Sequence, residues 1–288
     1  MELKIQSGDT TAVIDTYGGK LVSLISGGRE YVWRETYCYW PDRAGVLFPT
    51  CGRLYGGGIT YRGKRYDMPL HGFAYTSEFG VEKHSPHSLT LTLRNSPETL
   101  RVYPFEFVLR VTYALSGSRL DVTANAENVG GEDMYCSIGF HPWLKMPFSD
   151  GVDYEECRVA FPLAVDAYHC VMSGGVLDTL SRESCLQDGE LRLKHSLFDN
   201  DAYMLSGTGG KAVIECGEDS VALSYGGMPY IGFWHMERTN ADLLCIEPMT
   251  ALPGREGVTE DWQTRPDVTL VPPGGSATAT VSIETGIK

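Results

Sequence analysis

A carboxylate inside an apolar run is the residue of this chain best placed to do chemistry. Glu247 interrupts Leu243-Leu244-Cys245-Ile246-Glu247-Pro248-Met249, and a buried carboxylate is costly unless it is hydrogen-bonded or functional. Burial tends to raise a carboxyl pKa, which prepares a general base near neutral pH. The plainer alternatives are a Glu facing solvent or one paired with a structural Arg. His141 lies in Ile138-Gly139-Phe140-His141-Pro142-Trp143-Leu144. The residue before Pro is biased to an extended backbone, so its ring can project from a strand end. The aromatics beside it form either a stacking wall or ordinary core. His71, in Pro69-Leu70-His71-Gly72-Phe73-Ala74, reads more as a satisfied hydrogen-bonding residue than as a catalyst. Arg53, in Leu47-Phe48-Pro49-Thr50-Cys51-Gly52-Arg53-Leu54, is a structural ion-pair partner or an oxygen clamp, because its planar fork suits oxygen recognition.

Several other chemistries lack their motifs. Gly56-Gly57-Gly58 is not followed by Lys-Ser/Thr and a helix, as a phosphate loop requires. No HExxH, clustered Cys or GxSxG elbow is present.

The elements that must position these residues read as strands. Phe107, Leu109, Val111, Tyr113 and Leu115 alternate at period two, and after Ser116-Gly117-Ser118 so do Leu120, Val122, Ala124 and Ala126. This spacing predicts a long hairpin with one buried face. Ala277, Ala279, Val281 and Ile283 repeat the pattern after Pro272-Pro273-Gly274-Gly275, as do Val221, Leu223 and Tyr225 before Gly226-Gly227. Ala12-Val13-Ile14 and Leu21-Val22-Ser23-Leu24 flank Tyr17-Gly18-Gly19-Lys20, again a hairpin signal. Helical periodicity is scarce, and no fixed repeat suggests a propeller. Many short strands predict an all-β sandwich or barrel. Residues 168–190, with Ser173-Gly174-Gly175 inside them, read as a long loop. No linker divides the chain, so residues 1–288 are expected to form one domain.

Composition narrows the partners. The 288 residues carry 24 basic and 37 acidic side chains, a formal charge of −13. No run of Lys and Arg exists to hold nucleic acid or an anionic membrane. No apolar stretch approaches the roughly 20 residues of a membrane helix. The opening Met1-Glu2-Leu3-Lys4 has no apolar signal region, so a cytoplasmic protein is expected. The eight cysteines, Cys38, Cys51, Cys136, Cys157, Cys170, Cys185, Cys216 and Cys245, form no CxxC pair and are expected to be free, buried thiols.

Together, the string from Phe48 to Leu54, His71-Gly72-Phe73, Gly139-Phe140-His141-Pro142 and Cys245-Ile246-Glu247-Pro248 resemble, in order, the aldose 1-epimerase (galactose mutarotase) family. The match to its LacX-type branch extends to Tyr17-Gly18-Gly19-Lys20 and Glu30-Tyr31-Val32-Trp33, so the likeness covers nearly the whole chain. It implies a large antiparallel β-supersandwich with a sugar cleft on one face. It implies Glu247 as general base, His141 as general acid, and Arg53 and His71 as holders of sugar hydroxyls. The family's hydroxyl-binding Asp falls in Leu197-Phe198-Asp199-Asn200-Asp201-Ala202. Asp201 is preferred because it precedes the expected strand Ala202-Tyr203-Met204-Leu205; Asp199 stays open. Trp234 or Phe73 is expected to offer a stacking surface. Tyr75 stands where related sequences often carry a basic residue, and Met249 where many carry an aromatic. Both departures bear on which sugar is taken.

The implied reaction interconverts the α and β anomers of a neutral aldose by acid–base ring opening, and needs no metal or redox cofactor. One rival reading is a non-catalytic sugar-binding or sensory module, since fold does not fix function. Another is a metal enzyme with His71, His141 and Glu247 as a two-His, one-carboxylate set. Oligomeric state is not readable from the sequence.

Overall fold

The period-two patterns fold as the expected strands. A computed structural model describes residues 1–34 and 45–286; Cys38 lies outside them. Phe107–Ser116 pairs antiparallel with Arg119–Asn128, from Phe107 opposite Asn128 to Ser116 opposite Arg119. The apolar residues of both strands, Phe107 to Leu115 and Leu120 to Ala126 at every second position, are buried. Ser276–Thr285 adds to the other edge of Arg119–Asn128 and turns Ala277, Ala279, Val281 and Ile283 into the same core. A single face is apolar in each strand, so register is pinned: a slip by one residue would expose the whole set.

These strands belong to a nine-stranded antiparallel sheet. Its order is Glu190–Arg192, Arg158–Ala160, Lys211–Cys216, Asp219–Ser224, Ser276–Thr285, Arg119–Asn128, Phe107–Ser116, Ser88–Arg94, Gly80–Ser85. A second, eight-stranded sheet runs Val176–Ser184, Tyr168–Ser173, Tyr203–Ser206, Tyr230–Trp234, Leu243–Met249, Gly139–Phe140, Val46–Leu47, with Trp143–Lys145 also paired to Leu243–Met249. Thr10–Asp15 and Lys20–Ser26 pair as expected and sit in a four-stranded sheet with Glu2–Ser7 and Arg29–Glu30. Among the described residues the one α-helix is the four-residue Thr99–Val102. One apolar cluster draws on all three of these sheets and includes the rings of Phe48, Phe73, Tyr103, Phe107 and Trp262. Among the described residues no helix is long and apolar enough to cross a membrane.

Two expectations need correction. Residues 168–190 are not a long loop: Tyr168–Ser173 and Val176–Ser184 form a hairpin on the edge of the eight-stranded sheet. Gly174-Gly175 is its turn. Cys170 and Met172 are buried at period two, but Val171 between them is apolar as well, so the sequence shows no clean alternation there. The thiols are not all free either, because Cys157 and Cys216 form a disulfide. Arg158 pairs with Glu215, so the next step of that register sets Cys157 opposite Cys216, with Cα atoms 4.5 Å apart. The partners are 59 residues apart in sequence, which leaves no local spacing to read. Cys51, Cys136, Cys170, Cys185 and Cys245 are free.

Candidate active site

The strand Leu243–Met249 is buried at all seven positions, as expected of a central strand covered on both faces. Alternation divides its side chains. Leu244 and Ile246 enter the main core. Cys245 packs with Trp33, Trp143 and Met236, and Met249 packs with Leu47, Cys51, Met172 and Met204. Glu247 lies between these two smaller clusters on the same face. Its cross-strand neighbour is Gly232, where a Cβ would come within 3.3 Å of the Glu247 Cβ. The absent side chain leaves the carboxylate room.

His141 reaches Glu247 from the neighbouring chain segment. It follows Gly139–Phe140, which pairs with Val46–Leu47 on one side and, through Gly139, with Met249 on the other. Its own N–H donates to the Gly45 carbonyl at 3.1 Å. The His141 Nε2 lies 3.1 Å from Glu247 Oε1, and both side chains are under one-tenth exposed. Burial pushes the Glu247 carboxyl up, but the charge and hydrogen bond of His141, with the charge of His71, outweigh it and hold the group below its ordinary value. That direction is opposite to the one burial alone suggests. The reason is tertiary: two imidazoles far away in sequence face the carboxylate.

His71 occupies a left-handed backbone conformation, with φ 59°, which is uncommon outside glycine. Paired bonds to Gly52 over-determine it. The His71 N–H donates to the Gly52 carbonyl at 2.9 Å, and the Gly52 N–H donates to His71 Nδ1 at 3.0 Å. With Nδ1 an acceptor, the neutral ring carries its proton on Nε2. Burial lowers the His71 pKa to about 4; the nearby Glu247 charge opposes the shift, and His141 and Arg53 reinforce it. His71 is therefore a neutral donor across the physiological range.

These groups line one cleft of about 380 Å³, within the usual size range of small-molecule sites. Arg53, His71, His141, Asp201, Trp234 and Glu247 all border it. Asp201 Oδ1 accepts the Ala202 N–H at 2.7 Å and Oδ2 the Gly175 N–H at 2.6 Å. Asp199 instead accepts the Arg238 N–H at 3.1 Å and is not among the lining residues. Phe73 is also absent from the lining: its ring packs with Phe48, Tyr103 and Phe107 in the core. Trp143 and Trp234 meet at 6.2 Å between ring centroids and form an aromatic wall. Glu237 and the hairpin tip Met172, Gly174 and Gly175 also line the cleft, and the sequence reading missed them. No clean alternation marks the tip, and Glu237 has no signal either.

Single coordinating atoms of His71, His141 and Glu247 all lie within 4.8 Å of one another, so the rival metal set is also assembled. Against a metal, His71 Nδ1 already accepts a backbone N–H. The facing edges of His141 and Glu247 bond each other.

An antiparallel architecture dominated by a nine- and an eight-stranded sheet, with this cleft, defines an all-β, galactose mutarotase-like fold. A galactose mutarotase related enzyme from Lactobacillus acidophilus superposes with a TM-score of 0.90 at 27% identity, covering 100% of this chain and 98% of that one. A galactose mutarotase-like protein from Lactobacillus casei gives a TM-score of 0.92 at 26% identity, covering 99% and 100%. Residues 1–225 match the model of the aldose 1-epimerase family, and the chain belongs to that family. Glu247 lies beyond the matched span. Protein LacX (chromosomal) of Lactococcus lactis subsp. lactis aligns over 289 residues at 28% identity, covering 95% of each chain.

Proposed function

We propose that this protein is a mutarotase, interconverting the α and β anomers of a neutral aldose by general acid–base catalysis. The observation that carries this reading is the 3.1 Å contact between His141 Nε2 and Glu247 Oε1 on the buried cleft floor. The reaction needs a base at the anomeric hydroxyl and an acid at the ring oxygen, and both oxygens are attached to one carbon. An acid and base this close suit two such oxygens. Glu247 takes the hydroxyl proton, the electrons of that O–H bond form the aldehyde, and the C1–ring-oxygen bond breaks onto the ring oxygen. His141 supplies the proton there. Rotation about C1–C2 presents the other aldehyde face, and closure reverses the two roles.

The surrounding groups fit the binding task. Arg53 and the His71 Nε2–H donate to hydroxyl oxygens, Asp201 accepts from a hydroxyl, and Trp234 offers a face to the apolar side of the ring. Among the described residues, His141 Nδ1 and Trp143 Nε1 are buried without a hydrogen-bond partner beside the cleft. Polarimetry on freshly dissolved glucose or galactose tests the reading. Acceleration over the spontaneous rate is expected, and its absence across a panel of neutral aldoses sinks the proposal.

The compact His71–His141–Glu247 set favours one second reading, a metal enzyme. Metal analysis of purified protein and turnover in chelator separate the two. Acid–base catalysis predicts unchanged turnover after chelation.

A further inference from the structure

We propose that Gly175, at the tip of the hairpin formed by Tyr168–Ser173 and Val176–Ser184, is a positioning residue that sets Arg53 and Asp201 against each other at the cleft. The inference rests on the mutarotase reading for its purpose. Its geometry stands by itself.

Gly175 touches both charged groups. Its N–H donates to Asp201 Oδ2 at 2.6 Å. With Oδ1 accepting the Ala202 N–H, both oxygens are tethered and the carboxylate plane is fixed, while each oxygen keeps a lone pair for a ligand. On its other side, a Cβ at Gly175 would fall 2.8 Å from Arg53 Nε, 3.3 Å from Cδ and 3.5 Å from Cβ. The Arg53 stem therefore lies along the bare glycine. The φ of Gly175 is 84°, a conformation open to glycine at little cost.

The backbone around this contact is fixed as well. The Gly254 N–H donates to the Arg53 carbonyl at 2.8 Å, the Leu177 N–H to the Gly254 carbonyl at 2.8 Å, and the Glu256 N–H to the Leu177 carbonyl at 2.8 Å. Three segments far apart in sequence are thereby joined beside the tip. Arg53 is an exposed residue with a long flexible stem, and ordering such a side chain on binding is unfavourable. The glycine tip supplies a platform that orders it beforehand.

A double-mutant cycle with an activity-independent readout tests this. Gly175→Ala is expected to raise KM about tenfold with kcat nearly kept, as for loss of binding common to ground and transition states. In an Arg53→Ala background the same change is expected to add less than about twofold, because coupled residues are non-additive. The Arg53 Nε–H NMR resonance is expected to shift in Gly175→Ala. Gly117→Ala, at a remote turn with φ 56° and no atom within 4 Å, carries similar backbone strain and leaves that resonance in place. An equal KM effect with Arg53 absent overturns the proposal, as does an unshifted resonance in folded Gly175→Ala. Should Gly175→Ala fail to fold, Asp201→Asn decides. An amide presents its oxygen to only one of the two N–H groups, so exchange of either the Gly175 or the Ala202 amide must quicken, and unchanged exchange of both overturns the proposal. If the parent protein turns over no sugar, the mutarotase reading fails alone, and resonance and exchange still decide the positioning role.

Discussion

Glu247 and His141 act as a unit in the proposed chemistry, so their loss has a defined signature. Glu247→Gln keeps the shape and removes the proton acceptor; His141→Asn keeps a polar group and removes the titratable donor. Each is expected to cut kcat by about 10²–10⁴-fold, with the double change well short of the product. The check is polarimetry beside a thermal melt. A folded Glu247→Gln protein with near-normal turnover would put the sugar-binding module in front. On the proposed mechanism, the lowered Glu247 carboxyl is expected to place the acid limb of kcat/KM below the ordinary carboxylate range, which a pH–rate profile checks. His71 makes a separate prediction for stability. Its pKa is about 4 folded against a reference of 6.5, so between these values the unfolded chain holds the extra proton. Stability then rises with pH across that window. It is lost as pH falls from about 6.5 and levels off below about 4. A gap of this size is worth at most about 3 kcal/mol, and the ring's partial exposure to the cleft lowers it. His71→Asn is expected to flatten the Tm-versus-pH curve over this range. A slope equal to the parent's would refute the assignment.

At the scale of elements, the loop bearing His71 is held by its contact with the strand end at Phe48. The Phe48 carbonyl accepts both the Phe73 N–H at 3.0 Å and the Ala74 N–H at 3.2 Å. Gly72 passes so close that a Cβ there would lie 2.2 Å from the Phe48 oxygen, and its φ is 75°. The obstacle is backbone, which cannot swing aside. Gly72→Ala is therefore expected to cost at least about 1–3 kcal/mol in strain and to displace His71, raising KM as Tm falls. An unchanged melt and KM would mean that the loop is softer than its hydrogen bonds suggest.

Charge and covalent closure act on the whole molecule. Among the described residues lining the cleft, Arg53 is the one Lys or Arg, beside the carboxylates of Asp201, Glu237 and Glu247. Tyr75 lines the cleft where a cation would favour an anionic sugar, and the chain's formal charge is −13. A neutral hexose is expected to exceed its 6-phosphate by tenfold or more in kcat/KM, about 1.4 kcal/mol in transition-state terms. Competition between glucose and glucose 6-phosphate measures this, and a tenfold preference for the phosphate reverses it. The Cys157–Cys216 disulfide belongs to the nine-stranded sheet, and neither residue lines the cleft. Closing a loop with a 59-residue separation is worth up to about 4 kcal/mol by chain entropy. Replacing both cysteines by Ser is expected to lower Tm while leaving kcat and KM in place. Loss of turnover in a folded variant would tie the disulfide to the site.

The sequence by itself determined what local physics can write. Period-two alternation from Phe107 to Ala126 specified a hairpin and its buried face, because side chains on a strand alternate whatever the strand packs against. The apolar run around Glu247 marked a buried carboxylate, because such runs belong to strands covered on both sides. The motif resemblance singled out His141, His71, Arg53 and Asp201, all of which border the cleft. Tertiary structure alone decided what depends on distant partners. The direction of the Glu247 pKa followed from two imidazoles brought in from residues 71 and 141. Asp201 was separated from Asp199 by Gly175, whose N–H comes from another hairpin. Phe73 went to the core rather than the cleft because Phe48, Tyr103 and Phe107 close around its ring. Cys157 met Cys216 through a strand register that no local spacing encodes. Each of these outcomes is a pairwise energy between residues remote in the chain, and such energies come into being only when the sheets assemble.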